Sequence, residues 1–300
     1  IAIFSSYKRS VFVSQQADKC VFPNSESWVI LSPIEQSIKQ KIEAVGKPLK
    51  DWDINIYRGI LTGYNEAFII DGKKKEELIA EDPKSAEIIR PILRGRDIKK
   101  YGYDFADKYV ICARLVSDIP NNFPAIIKYL EQFKGEKKLG DNSTTKVFKR
   151  PWWSWMQEPV NYWDDLNSQK IIWGEISDKS KFAFDFLGEY IPEATSFYMK
   201  GECIEYLLSA LNSSVSEWLF SKVGTTTGVG TIRWKKYTIE QLIVAKLSTE
   251  QLNTHLAAFN DLKVGKMSIT DFECFSNKLM YDVYKLTSDE IQYIENQQIV

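Results

Sequence analysis

Apolar residues recur along the chain with two different periods, and the changes of period outline its elements. Ser32-Pro33-Ile34-Glu35 opens the first clear helix: Ser suits the N-cap, Pro the first helical position, and Glu the third, from which it reaches back to the cap. Ile34, Ile38, Ile42 and Val45 follow at near-helical spacing until Gly46 and Pro48 close the element. Asp53 to Tyr57 alternates polar and apolar, Gly59 to Asn65 is turn-rich, and Ala67 to Ile70 is a second strand stopped by Asp71-Gly72. Lys74 to Ala80 and Lys84 to Ile89 read as short helices, Tyr109 to Ala113 as a strand, and Ala125 to Phe133 as a helix.

Beyond Pro151 the aromatic-rich segments Ile171 to Trp173, Phe182 to Phe186 and Thr195 to Met199 read as strands between Gly, Pro and Asp breaks. A long amphipathic helix follows, burying Ile204, Leu207, Leu208, Leu211, Val215, Trp218 and Leu219 and stopped by Gly224. Ser248…Gln251, Thr270…Glu273 and Thr287…Glu290 each have capping-box form and open helical runs. Strands and helices mix without regular βαβ alternation, which predicts an α+β fold: a twisted, largely antiparallel sheet with packed helices and a C-terminal helical segment. The expected division is a unit over 1–245 and a helical segment over 246–300, whose ridge of Phe272, Phe275, Leu279 and Val283 reads as internal core.

Composition then narrows the class. At 44% hydrophobic and 26% charged the chain is an ordinary globular one, and no apolar run reaches the roughly 18 residues of a membrane span. It begins at Ile1 without a basic-then-apolar leader, which reads as a fragment of a cytoplasmic protein. Cys20, Cys112, Cys203 and Cys274 are too scattered for a zinc ribbon, and a lone histidine, His255, leaves no His metal triad. Net charge is −1, but acids concentrate in the tail while Arg90 to Lys100 and Lys134 to Arg150 are basic. Such runs are either solvated surface or a footprint for an anionic partner.

Candidate chemistry is sparse. Asp53, Asp71 and Lys73 imitate the two carboxylates and lysine of a Mg²⁺ nuclease, although Asp71-Gly72 reads equally as turn chemistry. Gly224-Thr-Thr-Thr-Gly228 lacks the context of a phosphate-binding loop, yet with Arg233, Lys235 and Lys236 it would suit a phosphate backbone. In Arg150-Pro-Trp152-Trp153-Ser-Trp155 a period of two cannot bury Trp152 and Trp153 on one face, so at least one should reach a surface.

These segments together resemble the TaqI-like C-terminal specificity domain of type IIG restriction–modification enzymes and adenine-specific DNA methyltransferases. The resemblance rests on WDINIYRGILTGYNEAFIID from Trp52, IRPILRGRDIKKY from Ile89, WWSWMQEP from Trp152, KIIWGEISDKSKFAF from Lys170, YLLSALNSSVSEWLF from Tyr206, and the terminal YDVYKLTSDEIQYIE, in the family's order. It implies a non-catalytic module that selects duplex DNA for a methyltransferase domain elsewhere in the parent chain, which binds S-adenosylmethionine and carries an Asn-Pro-Pro motif. No Asn-Pro-Pro occurs here, so the fragment itself is expected to need no cofactor or metal.

On that reading Arg94, Arg96, Lys99 and Lys100 position the module on phosphates, with Arg96 alternatively paired to Asp97. Thr62, Tyr64 and Asn65 either reach DNA or simply make a turn. Lys146, Lys149 and Arg150 would follow a strand, with Asn142 reading a base edge and Trp153 stacking. The alternatives are the stand-alone nuclease and a protein-interaction module without DNA affinity.

Overall fold

The computed structural model describes residues 31–135, 150–223, 225–226 and 232–297. The helix Pro33–Val45 starts at its capping box, the Ser32 backbone N–H donating to Glu35 Oε2 at 2.8 Å. Strands follow as β1 (Gly46–Pro48), β2 (Ile54–Arg58), β3 (Ile69–Asp71), β4 (Ile89–Leu93), β5 (Ile98–Lys99), β6 (Gly102–Tyr103) and β7 (Lys108–Ile111). After the tryptophan segment come β8 (Lys170–Gly174), β9 (Ile176–Ser177), β10 (Phe182–Asp185), β11 (Ile191–Pro192) and β12 (Ser196–Gly201). Helices Ile204–Asn212 and Ser214–Val223 lead to β13 (Thr225–Thr226), β14 (Ile232–Arg233) and β15 (Ile243–Ala245).

The fold is α+β. Its pairing is largely antiparallel, with the strands divided among five sheets in the described residues. Two have four strands: β10–β8–β12–β2, antiparallel throughout, and β11–β4–β7–β3, in which only β11 and β4 run parallel.

The first sheet is a wall between two cores. Strand alternation sends Ile171, Trp173, Phe182, Phe184, Phe197 and Met199 to one face and Ile172, Ala183 and Tyr198 to the other, all buried. The first face packs against helix Ile204–Asn212 and shares one core with the tail helices Thr249–Lys263, Ile269–Val283 and Ser288–Gln297, the last of which lies against Ser214–Val223. The other faces the second four-stranded sheet and helix Pro124–Glu131.

Four expectations shift, some for local reasons and some through distant partners. Residues Asn65–Phe68 wind into one helical turn on the Tyr64 carbonyl, leaving only Ile69–Asp71 extended. The expected helix Lys84 to Ile89 is a 3-10 turn, Pro83–Glu87, followed by β4, a strand that Pro91 conceals in the sequence. The long helix breaks at extended Ser213 because Asn212 turns its side chain onto Phe182, donating to its carbonyl at 2.8 Å and accepting its N–H at 3.0 Å. The Thr270 box gives way to Ser268, whose Oγ accepts from Asp271 N at 3.1 Å.

His255 sits fully buried where the tail meets helix Ile204–Asn212, its Nε2 2.8 Å from Ser209 Oγ. Burial lowers its pKa from 6.5 to about 4, so it is neutral in the fold. An unfolded chain takes up that proton near pH 6.5 and the folded chain only near pH 4, so stability falls as pH drops through this window. Urea denaturation should show a loss of about 2 kcal/mol between pH 7 and pH 5. His255→Gln should flatten that slope. Glu35 and Glu290 are both held at about 2: burial raises them, but hydrogen bonds led by Lys222 and Lys41 outweigh it. Their share is lost lower, between about pH 4.5 and 2.

Candidate nucleic-acid interface

One open cleft of about 490 Å³ gathers side chains from segments far apart in sequence. Arg58 ends β2, Asn65 opens the helical turn, Arg94, Gly95 and Arg96 form the turn after β4, Glu175 and Ile176 follow β8, and Glu193 and Thr195 link β11 to β12. The convergence follows from backbone pairing. Gly59 N donates to Ser196 O and Ile60 N to Pro192 O, both at 2.8 Å, an approach that a Cβ on Gly59 would block by clashing with the Glu193 carbonyl.

A polar relay crosses the cleft. Thr62 Oγ1 donates to Asn65 Oδ1 at 2.6 Å, and Asn65 Nδ2 donates to Glu193 Oε1 at 3.2 Å. Thr195 Oγ1 donates to Glu193 Oε2 at 2.5 Å while accepting the Gly95 N–H at 3.1 Å. Both carboxylate oxygens of Glu193 are therefore occupied, which is how a buried acid is accommodated.

Four arginines surround the relay in different states. Arg94 forks onto Asp97, with Nε to Oδ2 at 2.9 Å and Nη2 to Oδ1 at 2.8 Å. Burial opposes the Asp97 charge, but hydrogen bonds from Arg94 overcome it and hold the carboxyl below its ordinary value. Arg58 Nε donates to Ala194 O at 2.9 Å and its Nη2 lies 3.5 Å from Glu175. Arg233 Nη1 lies 3.6 Å from the other oxygen of Glu175. Arg96 is exposed and makes no ion pair or side-chain hydrogen bond with any described residue.

The other sequence-predicted residues scatter. Thr62 is buried and serves Asn65, while Tyr64 packs edge-on against Phe133 at 5.7 Å. Lys99 is exposed, 3.3 Å from Asp104, whereas Lys100 is tied to Glu273 of the tail. Arg150 points inward, Nη1 donating to Trp155 O at 2.7 Å. Trp155 is the buried indole, its Nε1 on Ile111 O at 2.9 Å; Trp152 and Trp153 are half-buried against the same core. Lys235 is half-buried and Lys236 lies 3.7 Å from Glu240. Asn142, Lys146, Lys149 and Gly224 lie outside the described residues.

The nuclease constellation is not brought together. Asp53 precedes β2 in the first sheet; Asp71 belongs to the second, and its carboxylate caps the next helix by accepting Lys74 N at 2.9 Å. No group of three or more His, Cys, Asp or Glu among the described residues could hold a metal ion. No described helix is long and apolar enough to cross a membrane.

Residues 90–244, which include most of the cleft, match the TaqI-like C-terminal specificity domain. The chain belongs to this family. Solved structures with the same fold include the type IIL restriction–modification enzyme MmeI in complex with DNA, at 13% identity and a TM-score of 0.50, covering 83% of this chain and 33% of MmeI. The type IIG restriction endonuclease BpuSI also has 13% identity and a TM-score of 0.50, covering 84% of this chain and 32% of BpuSI. The chain thus spans about a third of either enzyme. No curated protein matches it. Within this TaqI-like domain, sequence reasoning missed Arg58, Glu175, Glu193 and Thr195, all at strand ends; Gly59 beside Arg58 and Pro192 beside Glu193 were the available signals.

Proposed function

We propose that this TaqI-like domain selects the DNA sequence for a site-specific adenine-N6 methyltransferase, within a cytoplasmic restriction–modification enzyme. The observation that carries this reading is the cleft, where Arg58, Arg94 and Arg96, with Arg233 reaching its Glu175, bring cations from three separated segments around polar groups fixed by a relay. Phosphates demand the first feature and base edges the second. Family membership and the DNA-bound state of MmeI support duplex DNA as the partner. Methyl transfer from S-adenosylmethionine then belongs to a methyltransferase domain outside this chain, and the domain contributes binding and orientation. An overall charge of −1 is compatible, because the partner domain would share the duplex.

Duplex affinity followed by fluorescence anisotropy across salt tests the reading. Arg58→Ala and Arg233→Ala should each weaken binding to all sequences alike and lower the salt slope by about one. Unchanged affinity and slope in both would remove the cleft from the DNA face. Absence of binding at low salt by the intact protein would favour a protein-interaction module.

A further inference from the structure

Among these four arginines, Arg96 alone makes no ion pair or side-chain hydrogen bond with any described residue, the Asp97 charge acting on it only from a distance. Arg94 spends two nitrogens on Asp97, Arg58 spends Nε on Ala194 O, and both Arg58 and Arg233 lean toward Glu175. A free guanidinium on a loose loop would mean little, because its rotamer entropy would oppose any contact. Arg96 stands instead on a clamped turn. Gly95 N is held by Thr195 Oγ1 at 3.1 Å, and the Arg94 N–H donates to Asp97 Oδ2 at 2.9 Å. The backbones of Gly95 and Gly174 pass so closely that a Cβ built on Gly174 would lie 3.1 Å from the Gly95 Cα.

We propose, building on the DNA reading above, that Arg96 is a base-reading side chain of this domain: it takes guanine through O6 and N7 in the major groove, and Thr195 and Glu193 are positioning residues that set its turn. Guanine presents two acceptors side by side, which match two parallel N–H donors of a guanidinium. Phosphates can also take a guanidinium fork, but the cleft already has partly engaged arginines for that task. A rigid turn fixes the point from which the Arg96 side chain leaves the backbone, so that on meeting a base only its own torsions must be ordered, a precision of placement that base readout needs more than phosphate contact does.

The test is selection from a random double-stranded DNA library by the protein as expressed from its own gene, followed by sequencing. Wild type should enrich a motif containing a fixed G·C pair. Arg96→Ala should make that one pair degenerate, cutting discrimination there by roughly 5- to 150-fold, while the remaining motif and low-salt affinity for non-cognate duplex persist. Arg96→Lys should relax the same pair, since a point charge cannot fork. Thr195→Val should relax it more weakly and Thr195→Ser should preserve it. An unchanged motif in Arg96→Ala overturns the proposal. So does uniform loss over all sequences with a smaller salt slope, the signature of a phosphate contact. If wild type binds duplex but enriches no motif, sequence selection itself fails, and this inference with it.

Discussion

Asp185→Ala should cost this chain about 3–5 kcal/mol, among the largest effects of any single side-chain truncation. Lys170 and Asp185 are both buried and meet at 2.7 Å on adjacent strands of the first sheet. Burial lowers the lysine pKa, with the Asp185 charge opposing that shift. Truncating the aspartate strands this ammonium, leaving it only the Ser168 carbonyl at 3.3 Å. It also removes the acceptor for three backbone N–H groups, Gly188 at 3.0 Å, Glu189 at 3.2 Å and Tyr190 at 3.0 Å. Lys170→Met should cost less, because the carboxylate keeps those three donors and the methionine stem fills the space. Urea denaturation of both variants decides the matter. A larger loss for Lys170→Met would mean that the buried carboxylate left without its cation, not the loop that Asp185 anchors, sets the cost. The loop that Asp185 organises runs directly into β11 and Glu193, so surviving Asp185→Ala protein should also discriminate DNA sequences less well.

Legibility in the sequence follows the range of the interactions. Elements fixed by neighbouring residues were readable: the Ser32 and Ser248 capping boxes form as written, and β8, β10 and β12 lie where aromatic and β-branched residues alternate. Elements fixed by distant partners were not. β4 carries Arg90 and Pro91 and becomes a strand because β7 and β11 flank it. The break at Ser213 depends on Asn212 finding the free edge of Phe182, 30 residues earlier.

The cleft shows the same limit more sharply. Its charge was visible in the Arg90 to Lys100 run, but a run does not say which cation is free. Arg96 was expected to have Asp97 as a possible partner; the fork on Asp97 comes instead from Arg94, three residues away, because a 3-10 turn places that pair on one side. Glu193, the centre of the relay, has only Pro192 beside it as a local signal, since its partner Asn65 is 128 residues away and Thr195, which also holds it, takes the Gly95 N–H from 100 residues away.

Phe272→Ala should match Asp185→Ala in size, at about 3–5 kcal/mol, although it lies in the terminal segment that the sequence pattern sets apart after residue 245. Its ring is fully buried, 5.4 Å from Tyr101 in an edge-on pair, 5.9 Å from His255 and 6.0 Å from Phe259. Tyr101 belongs to the stretch following the Arg96 turn and donates its N–H to Phe182 O at 2.9 Å, so the phenylalanine supports the first sheet and not only its own helix. Tail and body are joined elsewhere by Ser209 Oγ, 2.8 Å from His255 Nε2, and by Lys41 pairing with Glu290 at 2.6 Å. Leu256→Ala, on a part-exposed face of the same tail, provides the control and should cost well under 1 kcal/mol. A tail folding as its own unit would give two unfolding transitions in urea, with Phe272→Ala shifting only one. The shared core predicts a single transition that Phe272→Ala displaces as a whole, with sheet and tail probes moving together. Two separable transitions would show that residues 246–300 are held by their own helices rather than by the body they cover.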